Sequence, residues 1–351
     1  MELGHQAISQ HRFIKKELYP MIEVHDVSKS YRVNRPRREG WLAAVQSLYA
    51  RAYDWKTAVS GLNFHITEGE LVGFIGPNGA GKSTTVKMLS GVLTPTSGRI
   101  ITNGIEPSRD RKHNAMHIGV VFGQRSQLYW DLPMDDTFRL FQRMYRIDPA
   151  VFRRNVDFMV ELLEMKGFYR TPIRQLSLGQ KMRANLAAAL LHDPRILYLD
   201  EPTIGLDVIA KTNIRRFLKE LNAEKKTTVI LTTHDMDDIE EVCERLMMID
   251  DGQIIYDGGL QAFNSQFGGG TMLEVEYKGC NAPLDDPRLQ VVAHTGNNVT
   301  YQFDRTDISL GEAVSLVSRR HELRDLRLRE PELEKTIGMI YTKNKRQREL
   351  K

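Results

Sequence analysis

A chain of 351 residues has room for one large domain and a smaller one. Hydrophobic residues make up 41% and charged residues 27%, the balance of an ordinary folded protein. A net charge of +4 is too mild to argue by itself for a nucleic-acid partner. The two cysteines, Cys243 and Cys280, have no metal-like spacing and read as reduced thiols.

Residues 1–20 form a polar N-terminal extension without the apolar core of a secretory signal. No apolar run reaches the roughly 18 residues of a membrane span, so a cytosolic chain is expected, with any membrane role reached through a partner. "MIEVHDVSKSYRV" (Met21–Val33) predicts a strand. An irregular insert follows, about 34–57, in which Trp41, Val45, Leu48, Tyr49 and Ala52 share one helical face. That face could lie on a membrane surface, against a membrane-embedded partner, or over the adjacent sheet. The basic run "RPRR" inside it and "KNKRQRELK" at the C-terminus read as solvated charge. "LNFHI", "LVGFIG", "GVVFG", "RILYLD", "TTVILTTH" and "LMMID" are short apolar strands, most of them separated by helical patterns. Strands alternating with helices define an α/β domain with a largely parallel sheet.

The long, mostly helical stretch of about 125–185 is too much material for one crossover and predicts a helical subdomain. His113 and His117 stand four apart, but no third ligand accompanies them, so they read as surface histidines. "GGG" at Gly268–Gly270 marks a boundary. Beyond it, "MLEVEYK", "LQVVAH", "NVTYQFD" and "ELRDLRLR" read as strands, and "SLGEAVSLVSRRH" and "PELEKTIGMIYTK" as helices. They make a small α+β accessory domain over 271–351.

"GPNGAGKST", Gly76 to Thr84, fits G-x-x-x-x-G-K-[ST] and lies between a predicted strand and a helical run. In such a loop the backbone of Gly76, Pro77, Asn78, Gly79, Ala80 and Gly81 turns its N–H groups around phosphate oxygens, with a helix N-terminus behind them. Lys82 would reach the β- and γ-phosphates, and Ser83, next to Thr84, would offer a hydroxyl to Mg²⁺. "ILYLDEPT" ends a buried strand in two carboxylates. Asp200 falls on the metal side of the loop, and Glu201 beside an attacking water as base.

In order along the chain stand Tyr31 in "SKSYRV", the phosphate loop, Gln124 in "VVFGQRSQ", "LSLGQ", "ILYLDEP", "GLD" with Asp207, and His234 in "LTTHD". Over about 21–267 the chain therefore resembles the nucleotide-binding subunit of ATP-binding-cassette (ABC) transporters. The resemblance implies a P-loop NTPase ABC ATPase domain that binds ATP and Mg²⁺. It implies that Tyr31 stacks on adenine, that Gln124 touches Mg²⁺ and water, and that His234 contacts the γ-phosphate and Glu201. It further implies that Asp207 meets a second subunit, and that Ser177, Gly179 and Gln180 of "LSLGQ" close over the phosphate held by that subunit. Leu178 stands where that signature ordinarily has glycine, and is tolerable there with a negative φ. One phosphate loop and one signature imply pairing with another copy or a related subunit. "GVVFGQRSQLYWDLP", "LAAALLHDPRILYLDEPTIGLDV", "TTHDMDDIE" and the ending "DLRLREPELEKTIGMIY" are similar to drug-export subunits of the daunorubicin-resistance and viologen-exporter kind. That similarity implies separate transmembrane permease subunits, a place on the cytoplasmic face of the membrane, an exported drug-like or amphipathic substrate, and no nucleic acid. The competing expectation is a soluble ABC ATPase acting on nucleic acid, ribosomes or cofactor assembly.

Overall fold

The computed structural model describes residues 20–34, 53–123, 126–267, 270–279, 283–305, 307–320, 322–329 and 333–349. Gln124, Cys280, the "RPRR" run and the Trp41 segment lie outside these residues.

Strands β1 (Pro20–Asn34) and β2 (Tyr53–Thr67) pair antiparallel along their whole length, and β4 (Ser97–Thr102) joins the other side of β1. The inner half of β2 buries Val59, Leu62, Phe64 and Ile66, whereas its outer half is exposed, Trp55 included. Alternation sets the pitch of the buried face, so β2 is longer than the apolar run "LNFHI" alone suggests.

The second sheet has the order β5-β6-β7-β3-β8-β9. Strands β3 (Leu71–Ile75), β5 (Ile118–Phe122), β6 (Ile196–Asp200), β7 (Thr228–Thr232) and β8 (Arg245–Asp250) run parallel, and β9 (Gln253–Gly259) pairs antiparallel at the edge. The inner strands are apolar on both faces because both faces are covered. Leu71, Ile75, Leu197, Leu199, Leu231 and Leu246 point into a core shared with the helices. Their sequence neighbours Val72, Phe74, Ile196, Tyr198, Ile230 and Met247 point the other way, toward the three-stranded sheet.

Helix α1 (Lys82–Leu89) follows the phosphate loop, and α2 (Arg111–Ala115) precedes β5. Between β5 and β6 lie α3 (Met134–Tyr145), α4 (Pro149–Leu162) and α5 (Leu178–Leu190), the expected helical stretch. Phe138, Phe141, Val156, Met159 and Met182 anchor them to the helical core. Helices α6 (Val208–Lys225), α7 (Met236–Val242) and α8 (Leu260–Phe267) complete this part.

A third sheet, β11-β12-β10-β13, is formed by β10 (Thr271–Tyr277), β11 (Gln290–Thr295), β12 (Asn298–Phe303) and β13 (Leu323–Arg329). With α9 (Leu310–Arg320) it encloses its own core of Leu273, Val275, Tyr277, Tyr301 and Val317. The last helix, α10 (Leu333–Glu349), leaves that core. Its Leu333 and Ile337 are buried in the helical core of the first domain, and Arg348 ion-pairs with Asp250 and Asp251 at the end of β8. Part of the C-terminal basic run is thus fastened to the first domain. Among the described residues no helix is long and apolar enough to cross a membrane.

Candidate nucleotide site

Parallel strands deliver their C-terminal ends to one edge of the sheet, and the loops after β3, β6 and β7 meet there. Residues 76–81 join β3 to α1. A Cβ on Gly76 would come within 2.4 Å of the Ile249 carbonyl oxygen, so no other residue fits this approach to β8. Gly79 has φ +84 with nothing within 4 Å of a Cβ position, leaving its backbone open to the cleft. The Lys82 ammonium is folded inward, 2.5 Å from the Gly76 carbonyl and 3.3 Å from that of Pro77. Burial lowers its pKa, opposed by the nearby carboxylates of Glu201 and Asp200.

Asp200 closes β6. Its Oδ1 accepts hydrogen bonds from Ser83 Oγ at 3.3 Å and Thr232 Oγ1 at 2.6 Å. This pair of hard oxygen donors beside a phosphate loop fits Mg²⁺, which takes one or two protein ligands and completes its shell with substrate phosphates and water. Among the described residues no group of three or more His, Cys, Asp and Glu could hold a metal alone. The His113 and His117 rings lie near each other at a tilt, with centroids 5.0 Å apart.

Glu201 adopts φ +59, a left-handed conformation that costs a non-glycine residue about 1–3 kcal/mol. Its N–H donates to the Thr232 carbonyl at 2.9 Å, tying the segment after β6 to the end of β7. The carboxylate lies 3.0 Å from His234 Nε2. Burial raises the Glu201 pKa, aided by Asp200 and opposed by His234 and Lys82. A carboxylate held above its ordinary range is a stronger base than a free one.

These groups line a cleft of about 500 Å³, together with Asn78, Thr84 and Ile204. Gly123, whose N–H donates to the Asp200 carbonyl at 2.6 Å, lines the same cleft. Ser177, Gly179 and Gln180 do not line this cleft, nor do Tyr31 and Asp207. Tyr31 pairs with Lys56 on β2, two residues from Ala58, whose carbonyl abuts Gly81.

The signature is the N-terminus of α5. Ser177 Oγ accepts from Gln180 N at 3.2 Å, and Gln180 Oε1 accepts from Ser177 N at 2.9 Å. This is a capping box, and the spacing S-x-x-Q was the legible signal for it. The box uses a lone pair of Ser177 Oγ, leaving its O–H free to donate. Leu178 is the first helical residue, has no positive φ, and is 51% exposed. It leans on Gly205, where a Cβ would come within 3.2 Å of Leu178 Cδ2. Asp207 caps α6, accepting from Ala210 N at 2.8 Å.

Sequence reasoning passed over a buried polar hub behind this edge. The Asp238 side chain is 1% exposed. Its Oδ2 accepts from Thr203 Oγ1 at 2.5 Å and from Thr233 Oγ1 at 3.0 Å, and its Oδ1 from Arg215 Nε at 2.6 Å. Arg215 also reaches Glu241 at 2.7 Å and Asp235 at 3.3 Å. Burial opposes the Arg215 charge, but Asp238 and Glu241 raise its pKa on balance.

A phosphate loop, an acidic strand end and a histidine just past the end of the next strand, set on this sheet, define a P-loop ATPase of the cassette type. The chain belongs to the ABC transporter ATP-binding family: residues 59–204 match the family model described as "ABC transporter". It is 31% identical to the linearmycin resistance ATP-binding protein LnrL of Bacillus subtilis (strain 168), over 81% of this chain and 94% of that one. It is 40% identical to a Nod factor export ATP-binding protein I of Burkholderia pseudomallei (strain 1710b), over 59% of this chain and 68% of that one. Among solved structures, a dimeric post-hydrolysis state of the ATP-binding cassette MJ0796, bound to ADP and Pi, aligns with TM-score 0.56. The identity is 28%, covering 68% of this chain and 99% of that one. The chain is thus an ATP-hydrolysing subunit of an ABC transporter.

Proposed function

We propose that two copies of this chain close head-to-tail over two ATP molecules and drive a separate permease that exports an amphipathic, drug-like substrate. The nearness of Glu201 to His234, facing Lys82 and the Ser83–Asp200 pair across one cleft, carries the catalytic part of this reading. The dimer part rests on the signature helix, whose capped N-terminus lies outside the cleft of its own chain and suits a phosphate bound by the partner. The relatives named for linearmycin resistance and Nod factor export support the direction of transport.

The phosphate loop N–H groups and Lys82 bind the ATP phosphates. Ser83 and Asp200, with Gln124, would hold Mg²⁺, which when bound neutralises charge on the β- and γ-phosphates. Glu201 orients a water for in-line attack on the γ-phosphorus and takes its proton. The bond to the β,γ-bridging oxygen breaks, and ADP and phosphate leave. His234 holds the Glu201 carboxylate in place. Ser177 O–H and Gly179 N–H of the partner stabilise the transferring phosphoryl group, and adenine stacks on Tyr31. Asp207 meets the partner across the interface. The chain sits at the cytoplasmic face through the permease. Co-purification from membranes with a multi-span protein is the expected outcome. Recovery free of membrane with ribosomes or nucleic acid would overturn the transport reading.

A further inference from the structure

Glu201 and His234 sit on different strand ends, and their 3.0 Å approach needs the two loops to be held in register. The Glu201–Thr232 backbone bond supplies one tie. The second is Asp238. Thr203 stands two residues after Glu201, and Thr233 stands directly before His234. Both hydroxyls donate to the same oxygen, Asp238 Oδ2. Thr203, Thr233 and Asp238 are all buried. Arg215 fixes the other carboxylate oxygen and is itself braced by Glu241 and Asp235, while Lys211 holds Asp235 at 2.6 Å. A buried carboxylate is retained in a fold when its charge and lone pairs are fully met. Here they are met by groups that reach back to the two catalytic loops.

We propose that Asp238, clamped by Arg215, is a positioning residue for ATP hydrolysis: through Thr203 and Thr233 it cross-links the Glu201 loop to the His234 loop and sets the distance between base and histidine. This rests on the roles assigned to Glu201 and His234. The link acts on the geometry of attack and leaves the phosphate loop alone, so it predicts a loss in kcat with little change in KM for ATP.

The test uses the full chain in steady-state ATP hydrolysis, with thermal melting in parallel. Thr203→Val removes one donor at constant shape and is expected to lower kcat about three- to tenfold, the worth of one hydrogen bond. KM should stay within about twofold. Thr203→Ser restores the hydroxyl and should restore the rate, which a packing role would not explain. Thr233→Val should behave as Thr203→Val does, and supplies the measurement if Thr203→Val fails to fold. The double variant should lose less than the product of the two, because both donors meet one oxygen. Thr137→Val, a buried threonine far from the hub in sequence, is the control and should keep its rate. An unchanged kcat in Thr203→Val, or a Thr203→Ser as slow as Thr203→Val, overturns the inference. Glu201→Gln separates the two levels: if it hydrolyses ATP normally, the assignment of the base fails first.

Discussion

Leu178 replaces a glycine at the start of a helix, where any residue with a negative φ is accepted. Its side chain rests on Gly205 and needs no polar partner. Leu178→Gly is therefore expected to change ATP turnover by less than about threefold, a loss of contact worth under ~1 kcal/mol. Gly179→Asp should nearly abolish turnover, because a carboxylate would face phosphate; a Cβ there meets only Ala210 at 3.4 Å, so folding should survive. A slow Leu178→Gly with a normal melting curve would reveal a role for the leucine in the dimer. His192 reports on stability. It stacks on Tyr145 with centroids 4.1 Å apart, and its Nε2 donates to the Ile118 carbonyl at 3.0 Å. Burial lowers its pKa to about 4, against 6.5 unperturbed. The unfolded chain then binds the extra proton between those values, so stability rises with pH across that window and falls on acidification. From pH 7 to 5 the loss from this group is about 2 kcal/mol. In His192→Gln the melting temperature should drop less between those pH values than in the unvaried chain. An equal drop would place the acid sensitivity elsewhere. The Thr137 hydroxyl is buried without a partner among the described residues, so Thr137→Val should melt at or above the unvaried temperature.

At the scale of elements, what could be read in advance depended on whether information was contiguous. The phosphate loop, the strand ending in Asp200 and Glu201, and the order of the motifs are short runs, and each announces itself. The apolar strands of the parallel sheet were legible for the same reason. Two edge strands were not: β9 alternates exposed and half-buried residues, and β4 buries only Ile100 and Thr102. The Asp238 hub was illegible because Thr203, Thr233, Arg215 and Asp238 come from two loops and two helices. The docking of α10 escaped because an amphipathic helix does not name its partner. Leu333, Ile337, Ile340 and Tyr341 face the first domain's core, so deleting residues 333–351 should lower the melting temperature markedly by uncovering that surface. Arg348→Ala should matter less than the deletion, since its side chain is 42% exposed and its pair with Asp251 lies at the surface. A deletion that melts like the full chain would mean that α10 is not held by that core.

For the whole molecule the ATPase fold gathers Lys82, Ser83, Asp200, Glu201 and His234 in a single cleft and leaves the signature outside it. On the proposed reading the catalytic cycle is a property of two chains, with ATP as the bridge between them. That division follows from topology: the cleft lies at the ends of β3, β6 and β7, whereas the signature opens a helix reached through the α3–α4 excursion. The most direct test is the oligomeric state of Glu201→Gln measured by light scattering with and without Mg-ATP. The account predicts a monomer without nucleotide, a dimer of twice the mass with ATP, and hydrolysis slowed by about 100-fold or more. A variant that stays monomeric while saturated with ATP, or that dimerises equally well with Gly179→Asp added, would contradict it.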